Sequence, residues 1–156
     1  MEFEEVTRVL AAFERHGVRY VLVGSMAMAA QGIVRATRDM DVFISPEADN
    51  VERLKAALRE LYADPEIEKI RAEELAGDYP VVQYVPPSGD YSIDILARLG
   101  EAFRFDDIES EETVLGSIRV RVATPRALYR MKRGTVRAQD RLDAEILKER
   151  FGLAED

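Results

Sequence analysis

The stretch VLVGSMAMAAQGIVRATRDMDVFI, residues 21–44, decides how the rest of the sequence is interpreted. An apolar, β-branched run, RYVLVG at 19–24, is typical of a buried strand and stops at a Gly-Ser pair. The small and unbranched residues of 25–32 favour a helix that Ser25 would cap. After a polar connection, MDVFIS at 40–45 predicts a second strand. The stretch therefore predicts a strand, a helix and a strand in succession.

The same patterns predict helices and hairpins on both sides of this stretch. The predicted helices cover 3–15, about 47–62, 125–133 and about 137–150. The predicted strands cover 81–85, 91–96, 110–115 and 118–124, paired as two antiparallel hairpins. In the last helix, Leu142, Ile146 and Leu147 are expected to face the core. Residues 64–80 are polar and show no clear pattern.

This order predicts an α/β (α+β) fold with a mixed, largely antiparallel sheet, flanking helices and two C-terminal helices. The length of 156 residues is near the usual size of one domain, and the sequence contains no repeat or linker-like segment. We therefore expect one domain over residues 1–156. Its core would cover about 1–124, followed by a helical segment over about 125–151.

Composition and charge exclude several classes of function. The net charge of -8, from 22 Lys and Arg against 30 Asp and Glu, disfavours broad binding to DNA or acidic lipid. With no cysteine and one histidine, His16, a thiolate site is excluded and a histidine-rich zinc site is a poor interpretation. The N-terminus is acidic and resembles neither a signal peptide nor a membrane span, so we expect a cytoplasmic protein without a membrane partner.

Three aspartates form a candidate metal site. Asp39 and Asp41 are one residue apart at the start of a predicted strand, so both side chains point to the same side of the sheet. Their repulsion is costly unless a divalent cation neutralises it, and oxygen ligands suit magnesium. Asp94 has a similar setting, SIDIL, and is the third ligand if the strands are neighbours. The alternative is that the pair only decorates a strand end, but its alternation with Met40 and Val42 favours a metal.

The Gly24-Ser25 pair is a candidate phosphate site. A strand that breaks at glycine and enters a helix presents free backbone N–H groups and a positive helix end to an anion. An ordinary helix cap would have the same two residues. The acids downstream favour the nucleotide interpretation, since they add a metal site to the phosphate site.

Together these residues resemble the signature of the polymerase-β-like nucleotidyltransferase superfamily. That signature is a hydrophobic residue, Gly, Gly or Ser, a spacer, and then Asp, a hydrophobic residue, an acid and a hydrophobic residue. Val23, Gly24 and Ser25 match its first part, and residues 39–42 match its second part. Asp94 matches the third acid of the superfamily.

The resemblance implies a nucleotidyltransferase-like fold and a reaction that moves an NMP from an NTP to a hydroxyl, with pyrophosphate released. It implies Mg²⁺ (or Mn²⁺) as cofactor, with Asp39 and Asp41 holding two ions. Asp94 would ligate the second ion and help to deprotonate the hydroxyl, while Gly24 and Ser25 would position the phosphates. The acceptors used within the superfamily are protein side chains, tRNA ends and small molecules such as aminoglycosides.

The C-terminal part is similar to the small prokaryotic nucleotidyltransferases related to AbiEii toxins. In that group T-x-D-x-D is followed by a lysine and a helix with a basic-Asp pattern. Thr37 completes the first motif, and the segment 128–147 is similar to the second, which makes Lys132 and Asp140 candidates. Where the group often has R-x-K-D, this chain has Gln139 in place of the lysine, so the role of the helix stays open. The similarity implies a toxin-type enzyme with a cognate antitoxin.

Basic residues around the acids are candidates for nucleotide binding. Arg35 and Arg38 precede Asp39 and could clamp phosphate oxygens, or they could only balance the acidic cluster. Lys132 lies in a basic section of the last helices, which is either a solvated face or a contact for triphosphate or RNA.

Two other classes of function share part of this pattern. A non-catalytic member of the same fold would bind a nucleotide or a partner protein, and the intact Gly-Ser pair and three acids count against it. A nucleotide-sugar glycosyltransferase could use the D-x-D pair for its metal. At 156 residues the chain is short for such an enzyme, and Gly-Ser has no part in that scheme.

Overall fold

The structure is a computed structural model that describes residues 2–34 and 37–154. The helices in these ranges are α1 Phe3–Arg15, α2 Gly24–Ala30, α3 Ala48–Leu61, α4 Ala72–Ala76, α5 Pro125–Arg133 and α6 Ala138–Phe151. The strands are β1 Tyr20–Val23, β2 Asp39–Ile44, β3 Val81–Tyr84, β4 Ser92–Leu96, β5 Arg98–Leu99, β6 Phe103–Arg104, β7 Ser110–Leu115 and β8 Ile118–Ala123. None of the helices in the described ranges has the length and hydropathy needed to cross a membrane.

The main sheet has six strands in the order β3-β4-β2-β1-β8-β7. The pairs β1/β2, β3/β4 and β7/β8 are antiparallel, while β2/β4 and β1/β8 are parallel. The prediction of a mixed, largely antiparallel sheet with two C-terminal helices is therefore confirmed. The two-stranded ribbon of β5 and β6 was not predicted, because two residues are too few to show a period.

The alternation of β2 separates the core from the polar face of the sheet. Met40 and Val42 are fully buried, and Asp39 and Asp41 between them are only half-buried. On the core side, Phe13 of α1 meets Tyr20 of β1 edge-on at a centroid distance of 5.6 Å. The side chains that seal the core thus hold β2 in a register that leaves both acids on the other face.

A buried asparagine ties α3 to the far ends of β1 and β2. The Asn50 Oδ1 accepts from the backbone N–H of Arg19 at 2.7 Å. Its amide nitrogen donates to the carbonyls of Arg19 at 3.0 Å and Ser45 at 2.8 Å. The side chain therefore satisfies three backbone groups where the two strands enter and leave the sheet.

We expect Asn50→Ala to destabilise the protein by about 2 to 4 kcal/mol, because the three hydrogen bonds from this buried side chain to the backbone would be lost. Urea unfolding monitored by circular dichroism measures this difference. Asp49→Ala, on the exposed side of the same helix, should change the free energy of unfolding by less than about 1 kcal/mol. Equal losses in the two variants would contradict this role for Asn50.

Two local predictions were wrong. Ser25 is not the N-cap of α2: the helix begins at Gly24, the cap position is Val23, and the cap makes no side-chain hydrogen bond. Leu142 was expected to face the core but is 57% exposed, because α6 turns Asp143 and Ala144 inward. The unassigned residues 64–80 contain a 3-10 helix, Pro65–Lys69, and the short helix α4.

Candidate active site

The parallel pairing of β2 with β4 places the three acids together. In its register Asp41 lies opposite Asp94, and Asp39 lies opposite Ser92. Since side chains at every second position of a strand share a face, all four point to the same side of the sheet. The predicted metal site required the strands that carry the acids to be neighbours, and they are.

A serine bridges two of the acids. The Ser92 hydroxyl lies 2.7 Å from Asp39 Oδ1 and 3.1 Å from Asp94 Oδ1. A hydroxyl has one proton, so it can donate to only one of these oxygens at a time. Gln83 of β3 donates to the same hydroxyl oxygen at 3.4 Å. Ser92 was not predicted from the sequence, although its position two residues before Asp94 puts it on the same face.

Asp41 is the most perturbed of the three acids. Burial is the largest cause and raises the pKa of Asp41 to about 7, helped by the charge of Asp94, a hydrogen bond to Asp94 and the charge of Asp39. The positive charge of Lys132 acts in the opposite direction on this pKa. The cluster therefore holds more negative charge than its surroundings stabilise, and a bound cation would relieve this.

The donor set fits a divalent metal ion in its chemistry, since all three ligands would be carboxylate oxygens. In residues 2–34 and 37–154, however, no three acidic or histidine side chains are drawn together as a metal ion requires. Asp39 accepts a hydrogen bond from Ser92, and a hydrogen bond with Asp94 contributes to the raised pKa of Asp41. The acids are adjacent, and their side chains are engaged with each other and with the serine.

Gly24 brings the start of α2 against Asp41. Its φ of +70° lies in the left-handed region, which L side chains rarely adopt. A Cβ at this position would overlap Asp41 Oδ2 and lie 3.0 Å from Asp41 Cγ. Only glycine allows this approach, so the Gly-Ser turn and the acid are built as one unit. Ser25 follows in the first turn of α2 and is half-buried.

The three candidate residues that precede Asp39 in the sequence differ in their surroundings. The Thr37 hydroxyl accepts from the Asp39 N–H and donates to the Asp39 carbonyl, both at 3.1 Å, so it fixes the backbone at the first acid. The side chain of Arg38 is exposed, and its carbonyl accepts from the Ser92 N–H at 3.2 Å. Arg35 lies outside the described residues.

Lys132 and Asp140 meet between the last two helices. The Lys132 ammonium lies 3.4 Å from Asp140 Oδ1 and 2.9 Å from Asp143 Oδ2. Asp143 was not predicted from the sequence. Its position three residues after Asp140 puts the two acids on one helical face, and that spacing was the available signal.

The contribution of Asp41 to the stability of the metal-free protein should fall as the pH rises. The pKa of Asp41 is raised from its ordinary value of 3.8 to about 7, so its contribution is fully present below about pH 4 and is lost between pH 4 and 7. We expect a loss of about 2 to 4 kcal/mol from this group, measured by urea unfolding in EDTA across that range. Adding Mg²⁺ or Mn²⁺ at pH 8 should restore part of it. A profile unchanged by Asp41→Asn would contradict this assignment.

The fold and the site define a class of protein. The sheet is mixed, the Gly24-Ser25 turn lies against Asp41 of the D-x-D pair, and the third acid, Asp94, lies on the neighbouring strand. This arrangement matches what the resemblance to nucleotidyltransferases implies. The sequence profile of the family described as "Nucleotidyl transferase AbiEii toxin, Type IV TA system" matches residues 8–141. The chain belongs to this family, and its enzyme class is nucleotidyltransferase.

Solved structures share this fold. The antibiotic-resistance factor ANT(2'')-Ia, in its solution structure, has a TM-score of 0.60 and 15% identity over 96% of this chain and 84% of its own. Its crystal structure with adenylyl-2''-tobramycin has the same TM-score and identity, and the match covers 96% of this chain and 89% of that one. The Thermotoga maritima protein TM1012, a candidate nucleotidyltransferase, has a TM-score of 0.56 and 12% identity over 96% and 91%. No curated protein sequence matches the chain.

Proposed function

We propose that the chain moves a nucleoside monophosphate from an NTP to a hydroxyl, depends on Mg²⁺ or Mn²⁺, and releases pyrophosphate. One observation carries the proposal: Asp41 faces Asp94 across two parallel strands and touches the Gly24 turn. A phosphate-binding turn and a group of carboxylates are the two parts that this reaction needs, and here they are in contact.

Each residue has a defined task in the proposed reaction. A divalent cation bound by Asp39, Asp41 and Asp94 would neutralise the phosphates and favour the alkoxide of the acceptor. The N–H groups at Gly24 and Ser25 would bind phosphate oxygens, with further contacts from Lys132, Arg35 and Arg38, while Thr37 would hold Asp39 in place. The acceptor oxygen forms a bond to the α-phosphorus as the bond to the β-phosphate oxygen breaks. The hydroxyl proton passes to Asp94, and pyrophosphate leaves.

The acceptor is a hydroxyl of a protein, a tRNA or a small molecule. The aminoglycoside class is supported by the ANT(2'')-Ia complex with adenylyl-2''-tobramycin, which has this fold. A toxin role with an antitoxin as partner is supported by the type IV toxin-antitoxin description of the family.

Labelling with each of the four NTPs, radioactive at the α-phosphate, tests the proposal. The purified protein is incubated with Mg²⁺ or Mn²⁺ and, separately, with total RNA, lysate protein or tobramycin. We expect label in one acceptor fraction, release of pyrophosphate, and loss of both in EDTA. Asp94→Asn should lower the rate by about 100-fold or more. A folded protein whose melting temperature rises with Mn²⁺ and NTP, but which transfers no label, would instead be the non-catalytic nucleotide binder.

A further inference from the structure

Lys132 is held by two acids of α6 in a place with little access to water. Its side chain is 13% exposed, and those of Asp140 and Asp143 are 14% and 2% exposed. Asp143 Oδ2 is the nearer partner, at 2.9 Å from the ammonium nitrogen, against 3.4 Å for Asp140 Oδ1. Two of the N–H directions of the ammonium are therefore set by α6.

The two acids also accept hydrogen bonds from neutral side chains. Gln139 donates from its amide to Asp143 Oδ1 at 2.9 Å, across one helical turn. Thr135, in the connection between the helices, donates from its hydroxyl to Asp140 Oδ2 at 3.0 Å. Each carboxylate thus has one oxygen on Lys132 and the other on a further partner, and Arg137 Nε also lies 3.9 Å from Asp140 Oδ2. These contacts oppose rotation of the carboxylates away from the lysine.

This network lies close to the candidate active site. The helix α5, which carries Lys132, packs against α2, the helix that begins at Gly24. A buried ion pair adds little to stability compared with apolar side chains of similar volume. A lysine with little access to water that is held by two acids of α6 is better explained by the need to fix the direction of the ammonium.

We propose that Asp143 is a positioning residue for nucleotide binding, which acts by aiming Lys132 at the nucleotide phosphates, and that Gln139 supports it by fixing the Asp143 carboxylate. This rests on the proposed function, in which Lys132 contacts the triphosphate. Gln139 stands where the related group often has lysine. Its amide keeps the hydrogen bond to Asp143 and adds no second positive charge to compete with Lys132.

A double-mutant cycle separates positioning from a structural role. Affinities of the wild type, Lys132→Met, Asp143→Asn and the double variant are measured by titration calorimetry with Mn²⁺ and each of ATP, GTP, CTP and UTP, well below the melting temperatures. We expect each single variant to weaken binding of the preferred nucleotide by about 10-fold or more, and the double variant to bind no more weakly than Lys132→Met. Multiplied effects in the double variant, or unchanged affinity in Asp143→Asn, would overturn the proposal.

If Asp143→Asn does not fold, Gln139→Met tests the proposal in its place. Gln139 is exposed, and its loss leaves the ion pair between Lys132 and Asp143 intact. We expect a melting temperature near that of the wild type and binding weakened by about 3-fold to 10-fold. The matched control is Glu149→Met, an exposed position on the same helix, which should bind as the wild type does. Wild-type affinity in Gln139→Met would remove Gln139 from the proposal. If the wild type binds no nucleotide at all, the proposed function fails as well, so the two failures are distinguishable.

Discussion

Asp41→Asn should have opposite effects on activity and on stability. We expect nucleotidyl transfer to fall by about 1,000-fold, because asparagine keeps the shape of the side chain but supplies no charge to a metal ion. We also expect the metal-free variant to be more stable than the wild type at pH 8, by up to about 4 kcal/mol, since burial raises the pKa of Asp41 to about 7 and asparagine has no proton to lose. Few substitutions that damage a packed site increase stability, so this combination is informative.

The two effects have separate measurements. Label transfer from the NTP reports activity, and urea unfolding in EDTA at pH 5 and pH 8 reports stability. The gain should be smaller at pH 5 than at pH 8, because only part of the contribution of Asp41 is lost between pH 4 and pH 5. Asp90→Asn, an exposed acid of the β3–β4 connection, should leave both quantities unchanged. A variant that loses stability at pH 8 would show that Asp41 stabilises the fold as an ion, which is the opposite of what its raised pKa requires.

The sequence predicted the parts of the site that follow from strand periodicity. Asp39 and Asp41 share a face because they are two residues apart, and their apolar neighbours bury the other face. The adjacency of Asp94 was conditional on strand order, which a single sequence does not specify. The parallel pairing of β2 with β4 supplies that order.

The features that the sequence did not predict depend on contacts between elements. Leu142 was assigned to the core by its hydrophobicity, but α6 turns Ala144, Leu147 and Asp143 inward, and Asp143 is paired there with Lys132. The sequence alone does not distinguish an aspartate that is buried in an ion pair from one that is exposed to solvent. Ser25 likewise looks like a helix cap in the sequence, but the cap position is Val23, two residues earlier, and the helix begins at Gly24.

Gly24→Ala should damage the site without removing any of its chemical groups. Alanine in this left-handed conformation costs about 1 kcal/mol, and its methyl would also overlap the Asp41 carboxylate. Either the carboxylate or the start of α2 must move, which separates the phosphate turn from the acid. We therefore expect label transfer to fall by about 100-fold or more and the free energy of unfolding to fall by about 2 to 4 kcal/mol.

Two further variants identify the overlap with Asp41 as the cause. Gly134→Ala is the matched control, because a Cβ at Gly134 would meet nothing within 4 Å and its φ of -94° suits alanine. It should leave transfer and stability close to those of the wild type. In an Asp41→Ala background the carboxylate is absent and only the Cβ of residue 41 remains, 3.1 Å from the added carbon. The loss of stability from Gly24→Ala should therefore shrink towards the backbone contribution of about 1 kcal/mol. An undiminished loss in that background would mean that α2 itself, and not its approach to Asp41, requires the glycine.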